Sequence, residues 1–297
     1  MKITVTGASG FVGKNLVSYL NRAKHNITTL SARFIPNQTF ELNNNAIIHL
    51  SGKAHDLRSV SLPNEYFEAN YELTRQLYDA FLVSEAKVFI FISSVKAAVD
   101  LVEGILVENT ECNPLTIYGK SKLMAEEYIQ SCRLPAGKSY YILRPCMIHG
   151  PGNKGNLNLL YRFVRSGIPY PLAAFENNRS FLSIENLCFV ICELLKKDIP
   201  SGIYNVADDG SLSTNELVEI LASSLGKKPK LWHVSSNLIR SIAVIGDKLK
   251  LPFNTERLNK LTENYIVSNA KIKAALEVEF PLTIKEGLKI TATSFKS

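Results

Sequence analysis

The sequence predicts an α/β fold, a doubly wound parallel sheet followed by a smaller C-terminal lobe, and three observations carry that prediction. Short apolar runs rich in β-branched or aromatic residues at 3–6, 46–50 and 88–92 alternate with helix-patterned segments at 11–24, 63–84 and 114–132. A cluster of glycines follows the first run directly. The 297 residues, 46% of them hydrophobic, suffice to bury one large core or two modest ones.

Each element has a local reason. Residues 3–6 form a compact strand because all four are β-branched, and 27–30, with three of four, makes a weaker second strand. The stretch 34–45 between the second and third strands is short, and no covering helix is expected there. The apolar blocks 46–50 and 88–92 read as strands buried on both faces. A further strand at 139–143 runs into Arg144-Pro145, so residues 1–150 form one doubly wound unit. Beyond Gly150-Pro151-Gly152 the texture changes. Loops around Gly155-Asn156, Gly167, Pro169 and Pro171 separate helices at 184–196, 214–225 and 235–249, which assigns 151–297 mainly to a substrate-binding lobe. The run 202–207 reads as a strand that returns to the main sheet.

Charge and cysteine content narrow the class. Thirty-four Lys and Arg against 27 Asp and Glu leave a formal charge of +7, which favours an anionic partner of the kind a phosphorylated metabolite provides. Five cysteines without a CxxC motif suggest reduced thiols in a cytoplasmic protein, with neither a disulfide framework nor a zinc ribbon. Cys188 and Cys192 are one helical turn apart, but no neighbouring His or Cys completes a metal set. No apolar run approaches the roughly 20 residues of a membrane span, and the first residues lack the features of a secretory leader. The amphipathic stretch Leu238, Ile239, Ile242, Ala243, Ile245, Leu249 has the spacing of a helix packed on the second lobe, and no membrane partner is expected. Lys227-Lys228-Pro229-Lys230 reads as a solvated loop beside a core aromatic, Trp232, and no nucleic-acid role is expected.

The most informative segment is Gly7-Ala8-Ser9-Gly10-Phe11-Val12-Gly13, between the first strand and a helix. Gly7 permits a tight turn, Gly10 lets the backbone approach a pyrophosphate, and Gly13 allows close packing of helix on strand, while the helix N-terminus offers unpaired N–H groups to an anion. A nucleoside-triphosphate loop of the form GxxxxGK[ST] is excluded, because Ala8 stands where glycine is needed and Asn15 where Ser or Thr is needed. A dinucleotide site of the Rossmann type is expected. Its ribose-gripping acid is missing: the second strand ends in Leu30-Ser31-Ala32-Arg33, and the first acidic residue of the chain is Glu41. A hydroxyl at Ser31 and a guanidinium at Arg33 suit a 2′-phosphate, so NADP is favoured over NAD.

Tyr118 and Lys122 stand four apart on one helical face in Thr116-Ile117-Tyr118-Gly119-Lys120-Ser121-Lys122. Such a pair alone is an ordinary surface coincidence; after a dinucleotide turn it reads as a proton relay. An ammonium beside a phenol with pKa about 10 favours the phenolate, and the pair can then exchange a proton with an alcohol while hydride moves at carbon. Ser94, at the carboxyl end of the 88–92 strand, is placed to hold the substrate oxygen, leaving Ser93 to satisfy backbone or cofactor groups. His55, near the third strand, is a weaker candidate for touching substrate.

With these residues in place, the chain resembles an extended short-chain dehydrogenase/reductase of the nucleotide-sugar branch, which contains UDP-glucose 4-epimerase-like enzymes and UDP-sugar 4-ketoreductases. The matching features are Gly7-x-x-Gly10-x-x-Gly13, His49-Leu50-Ser51-Gly52, Ser93-Ser94, Tyr118-x-x-x-Lys122, Arg144-Pro145 with Gly150-Pro151-Gly152, and Arg179-Ser180-Phe181 leading to Asn186-Leu187. The resemblance implies a catalytic trio of Ser94, Tyr118 and Lys122. It implies that Phe11, Val12, Leu50, Ser51, Gly52, Asn70, Pro145 and Ile148 border the dinucleotide, and that Asn156 and Arg179 contact a UDP-sugar diphosphate. It also implies a homodimer through the helices near 66–84 and 114–132. Two departures bear on the reaction. Val95 and Lys96 stand where dehydratases of the family carry an adjacent Asp-Glu pair, which argues against 4,6-dehydration, and Met147 replaces a substrate-facing Asn of many epimerases.

The expected activity is hydride transfer at a sugar C4 by a UDP-4-keto-6-deoxy-hexose 4-reductase, its sugar N-acetylated, because Ser31 and Arg33 point to a consumable NADPH. A UDP-glucose or UDP-N-acetylhexosamine 4-epimerase is the alternative. A non-catalytic NADP-binding sensor, the reading from another class, predicts a broken trio, whereas this one is intact.

Overall fold

The computed structural model describes residues 1–54, 62–153, 155–249, 251 and 253–295. His55 lies outside the described residues. The first half alternates β1 (Lys2–Thr6), α1 (Phe11–Arg22), β2 (Asn26–Leu30), β3 (Ala46–His49), α2 (Pro63–Phe67), a π-helical turn (Glu68–Glu72), α3 (Leu73–Val83), β4 (Val88–Ile92), β5 (Ile105–Leu106), α4 (Ile117–Ser131) and β6 (Ser139–Pro145). Then come β7 (Met147–His149), α5 (Asn156–Arg165), β8 (Phe181–Ser183), α6 (Ile184–Leu194), β9 (Gly202–Val206), α7 (Thr214–Ser224), α8 (Ser236–Lys248), α9 (Thr255–Thr262), β10 (Ile266–Val267), α10 (Ala270–Leu276) and α11 (Ile284–Ser294).

Six strands form one parallel sheet in the order β2-β1-β3-β4-β6-β9. The order reverses between β1 and β3, which places the ligand crevice of such a sheet at the carboxyl ends of those two strands. β3 is buried along its whole length and β4 nearly so, as their unbroken apolar runs require. β2, at the edge, is largely exposed, with only Ile27 and Leu30 partly buried. One face of the sheet is covered by α1 and α6 and the other by α3 and α4, each with its own apolar cluster. No helix forms between β2 and β3; Phe34, Phe40 and Leu42 cover that part of the sheet from an irregular loop.

β9 pairs with β6 and α6 packs on α1, so the chain re-enters the sheet layers after residue 180. A third apolar cluster joins α5, α7, α8 and α11 around Tyr161, Phe175, Leu217 and Leu288. Three features depart from the sequence reading. Asn156 opens helix α5 where a loop is expected. The two-stranded pairing of β7 with β8 adds a small sheet beside the main one. Trp232 is exposed rather than a core aromatic, although α8 does pack through Ile239 and Ala243.

Candidate active site

The glycine turn is shaped by two steric facts. Gly7 adopts φ of +67°, a left-handed conformation that favours glycine, and a Cβ there would also sit 2.8 Å from the Ser51 nitrogen. A Cβ on Gly13 would collide with the Gly7 carbonyl oxygen, so α1 can approach β1 this closely only with hydrogen at that position. Gly10 is the N-cap of α1, with no side-chain cap and no acidic residue in the first turn. The helix therefore presents open N–H groups and the positive end of its dipole, as an anionic pyrophosphate requires. Phe11 packs toward Gly150 and Gly152, and the Asn15 amide donates to the Phe11 carbonyl at 2.9 Å and to the Pro151 carbonyl at 3.4 Å. The turn and the loop after β7 are thereby joined.

Beneath the turn runs a buried polar chain with a fixed direction. Thr74 donates to the Asn70 carbonyl at 2.6 Å, so its oxygen accepts from His49 Nε2 at 2.9 Å. His49 Nδ1 is left to accept from Thr6 Oγ1 at 2.7 Å. Thr6 Oγ1 in turn accepts from the Leu50 and Ser51 amides, each at 3.2 Å. Burial, with a smaller effect of Lys122, holds His49 neutral by pushing its pKa down to about 3. Leu50, Ser51 and Gly52 are thus pinned at the carboxyl end of β3.

Asn70 is a residue that only the family resemblance singled out. It is fully buried in the π-helical turn, accepts from Lys53 N at 2.8 Å, and donates to Lys53 O at 3.0 Å and Ser121 Oγ at 2.9 Å. All of these bonds reach residues 17 or 51 positions away, which periodicity cannot reveal. The widened turn swings the amide between the 51–53 loop and α4, a use typical of π-bulges at functional sites.

Helix α4 carries Tyr118 and Lys122, and Thr116 caps it by accepting from Gly119 N at 3.1 Å. Tyr118 is half-buried as a residue and lies close enough to Ser94 for that side chain to favour its phenolate, while Ser94 Oγ accepts from Lys96 N at 3.2 Å. Lys122 is 4% exposed, donates to the Ile92 carbonyl at 2.9 Å and lies 4.6 Å from the centre of the Phe91 ring. Its pKa is pushed down to about 8 by burial, partly offset by Glu126. The expectation that the lysine acidifies the phenol is corrected here: burial raises the Tyr118 pKa, the Ser94 hydrogen bond lowers it and Glu126 raises it further. The lysine amine is directed to the end of β4, and the resting tyrosine is a protonated phenol.

Ser93 is also redirected. Its hydroxyl donates to the buried Glu126 carboxylate rather than to a ligand, and Arg144 holds the same carboxylate with Nε at 3.0 Å from both oxygens and Nη2 at 2.5 Å. This Ser93–Glu126–Arg144 cluster ties β4, α4 and β6 together directly behind the Ser94–Tyr118 pair. Glu126 escaped the sequence reading, although its position four residues beyond Lys122 was a usable signal.

The remaining candidates are more dispersed. Ser31 and Arg33 are exposed just past β2, whose Leu30 is in register with Thr6, so they follow the level of the glycine turn. Val12 is half-buried in α1, Pro145 ends β6 and Ile148 lies half-buried in β7 beside Leu182. Val95 is buried, and Lys96 donates to the Asp100 carbonyl at 2.8 Å while lying 4.2 Å from the Tyr265 ring centre. Asn156 is exposed at the first turn of α5. Arg179 is paired with Glu263 at 3.5 Å in the second lobe.

A nicotinamide dinucleotide fits these residues: the uncapped α1 terminus and the side-chain-free turn meet its pyrophosphate, and no carboxylate stands at 31–33 to repel a 2′-phosphate. The fold and site define a dinucleotide-binding dehydrogenase of the extended short-chain type. A family model described as the NAD dependent epimerase/dehydratase family matches residues 3–207, and the chain belongs to that family. It is 32% identical to a UDP-glucose 4-epimerase of Vibrio cholerae over 99% of this chain and 95% of that one. It is 30% identical to a UDP-2-acetamido-2,6-beta-L-arabino-hexul-4-ose reductase of Pseudomonas aeruginosa, over 82% of this chain and 63% of the relative. Among solved structures, RMD from Pseudomonas aeruginosa complexed with NADPH has the same fold, with a TM-score of 0.75 at 21% identity and 100% of both chains covered.

Proposed function

We propose that the chain reduces the C4 ketone of a UDP-linked 4-keto-6-deoxy-hexosamine at the expense of NADPH. The observation that carries this reading is the placement of Ser94 beside Tyr118 at the carboxyl edge of the sheet, with burial favouring the protonated phenol. When bound at the glycine turn, the reduced nicotinamide supplies hydride to the sugar carbon. Tyr118 donates its proton to the C4 oxygen, a task that a phenol with a raised pKa is ready to perform at neutral pH. Ser94 hydrogen-bonds the same oxygen and orients it. Lys122, charged below pH about 8 and held on the Ile92 carbonyl at the end of β4, borders the dinucleotide. Ser31 and Arg33 select the 2′-phosphate, and Asn156 and Arg179 meet the UDP diphosphate, for which a guanidinium fork is well shaped.

A 4-epimerase acting on a UDP-hexose is the second reading, favoured by the near full-length similarity to the Vibrio cholerae enzyme. It needs the tyrosine as a base before it serves as an acid, and it retains its cofactor. Incubation with UDP-4-keto-6-deoxy-N-acetylhexosamine and NADPH separates the two. Stoichiometric NADPH loss supports the reductase, whereas interconversion of UDP-hexoses without NADPH loss supports the epimerase. Tyr118→Phe is expected to lower turnover on the order of a hundred- to ten-thousandfold while dinucleotide affinity stays within about twofold. Unchanged turnover would remove the tyrosine from the mechanism.

A further inference from the structure

Helix α8 carries two apolar stripes, and only one is used. Ile239 and Ala243 join the core of the second lobe, and Gly246 is pressed against the Phe253 carbonyl. On the adjoining face Leu238, Ile242, Ile245 and Leu249 recur at helical spacing, yet they are 54%, 45%, 52% and 65% exposed. Trp232, just ahead of the helix, is 59% exposed.

Charge is concentrated on the same segment. Between residues 227 and 261 the sequence has eight Lys and Arg against two acidic residues, so this stretch carries +6 of the chain's +7. Of the two acids, Asp247 is turned onto Thr255, accepting from its hydroxyl at 2.5 Å and its amide at 3.2 Å. Arg240 and Lys248 are exposed on α8. Lys227, Lys228 and Lys230 line a cavity of about 340 Å³ together with Ile168 and Tyr170. The Tyr170 amide donates to the Lys230 carbonyl and the Trp232 amide to the Tyr170 carbonyl, both at 2.8 Å, so the lysine-lined cavity and the tryptophan belong to one connected surface.

We propose that residues 227–261 dock the protein on an anionic phospholipid surface. Helix α8 lies in the headgroup plane, its outer stripe among the upper acyl chains and Trp232 at the interface, where indoles concentrate. Lys227 and Lys230 each donate one hydrogen bond to a backbone carbonyl, of Arg165 at 2.7 Å and Gly167 at 3.1 Å, which leaves their remaining N–H groups and Lys228 to meet lipid phosphates, each such contact adding to the attraction. Charge selects this occupant over a second copy of the chain, since pairing two such faces would bring together the exposed Lys227, Lys228, Lys230, Arg240 and Lys248 of both copies. Aliphatic side chains also provide no stacking platform for a nucleic acid. The contact is peripheral, because among the described residues no helix is long and apolar enough to cross a membrane.

Trp232, the only tryptophan in the chain, is a built-in reporter. Vesicles of phosphatidylglycerol and phosphatidylethanolamine should shift its emission to the blue and carry the full-length protein into the pellet. Pure phosphatidylcholine vesicles, or the anionic ones at high salt, should bind about tenfold less or weaker still. The variant L238S/I242S/I245S/L249S should lose vesicle binding, and K227Q/K228Q/K230Q should weaken it about tenfold, with NADPH affinity and thermal unfolding unchanged in both. The lysine variant and the wild-type emission keep the test decisive if the helix variant does not fold. Wild-type protein that stays in the supernatant with unshifted emission overturns the proposal. So does equal binding to neutral and anionic vesicles, or a loss of dimers in the helix variant without any vesicle binding by the parent.

Discussion

The carboxyl edge of the sheet and the outer face of the second lobe handle charge in opposite ways. At the sheet edge the charged groups are buried and individually partnered: Lys122 on the Ile92 carbonyl, Arg144 on Glu126, with His49 kept neutral between two threonines. Around α8 the described lysines and arginines are exposed and outnumber the acidic residues. The first arrangement fixes geometry, because a desolvated charge without its partner is costly. The second gives up fixed geometry for attraction acting over roughly a Debye length, about 8 Å at physiological salt. Proton transfer needs the former and surface recruitment the latter.

Three measurements would break or sharpen this contrast. The largest effect is expected for Glu126→Ala, which strands the buried Arg144 guanidinium and should cost roughly 3–5 kcal/mol in urea unfolding. A loss near zero would mean that water reaches the cluster.

Lys122→Met should change the pH dependence of stability. Between pH about 8 and 10.5 the unfolded chain keeps a proton on this lysine that the folded chain has shed, so raising the pH across that window stabilises the wild type. Below about 8 both states carry it, and the full cost of burying the ammonium remains. The wild type should therefore gain stability relative to the variant from pH 8 to 10, by at most roughly 3 kcal/mol, in paired thermal or urea scans. Parallel curves would show that the amine is not desolvated.

The smallest effect is expected for Glu263→Ala. Its partner Arg179 is 20% exposed and the pair is long at 3.5 Å, so removal should cost about 1 kcal/mol or less. The same change should leave Arg179 freer for a diphosphate and lower the KM for a UDP-sugar. A stability loss matching that of Glu126→Ala would erase the distinction between the two regions.

Much of this site was legible in the residues themselves. Gly7 and Gly13 were assigned a turn and a close approach, and the structure gives each a left-handed angle or a forbidden Cβ at those positions. The short 34–45 link correctly indicated that no helix covers that part of the sheet. Asn70 was placed beside the dinucleotide by the family resemblance alone, because its partners come from the 51–53 loop and from α4, far away in the chain. Tyr118 and Lys122 were paired by their helical spacing after a dinucleotide turn, while burial and the Ile92 carbonyl decide what each group does. Trp232 was assigned to the core because tryptophan is large and apolar, but no second-lobe element covers it.

The sequence by itself determined the strand and helix order, the phosphate-cradling turn and the identity of the proton-handling side chains, because periodicity, glycine sterics and helical spacing act over only a few residues. Tertiary structure alone decided which of those side chains are dry, which way their hydrogen bonds run and which stripe of α8 faces water. Those properties depend on desolvation by segments far away in the chain, and no local pattern encodes the distance at which they meet.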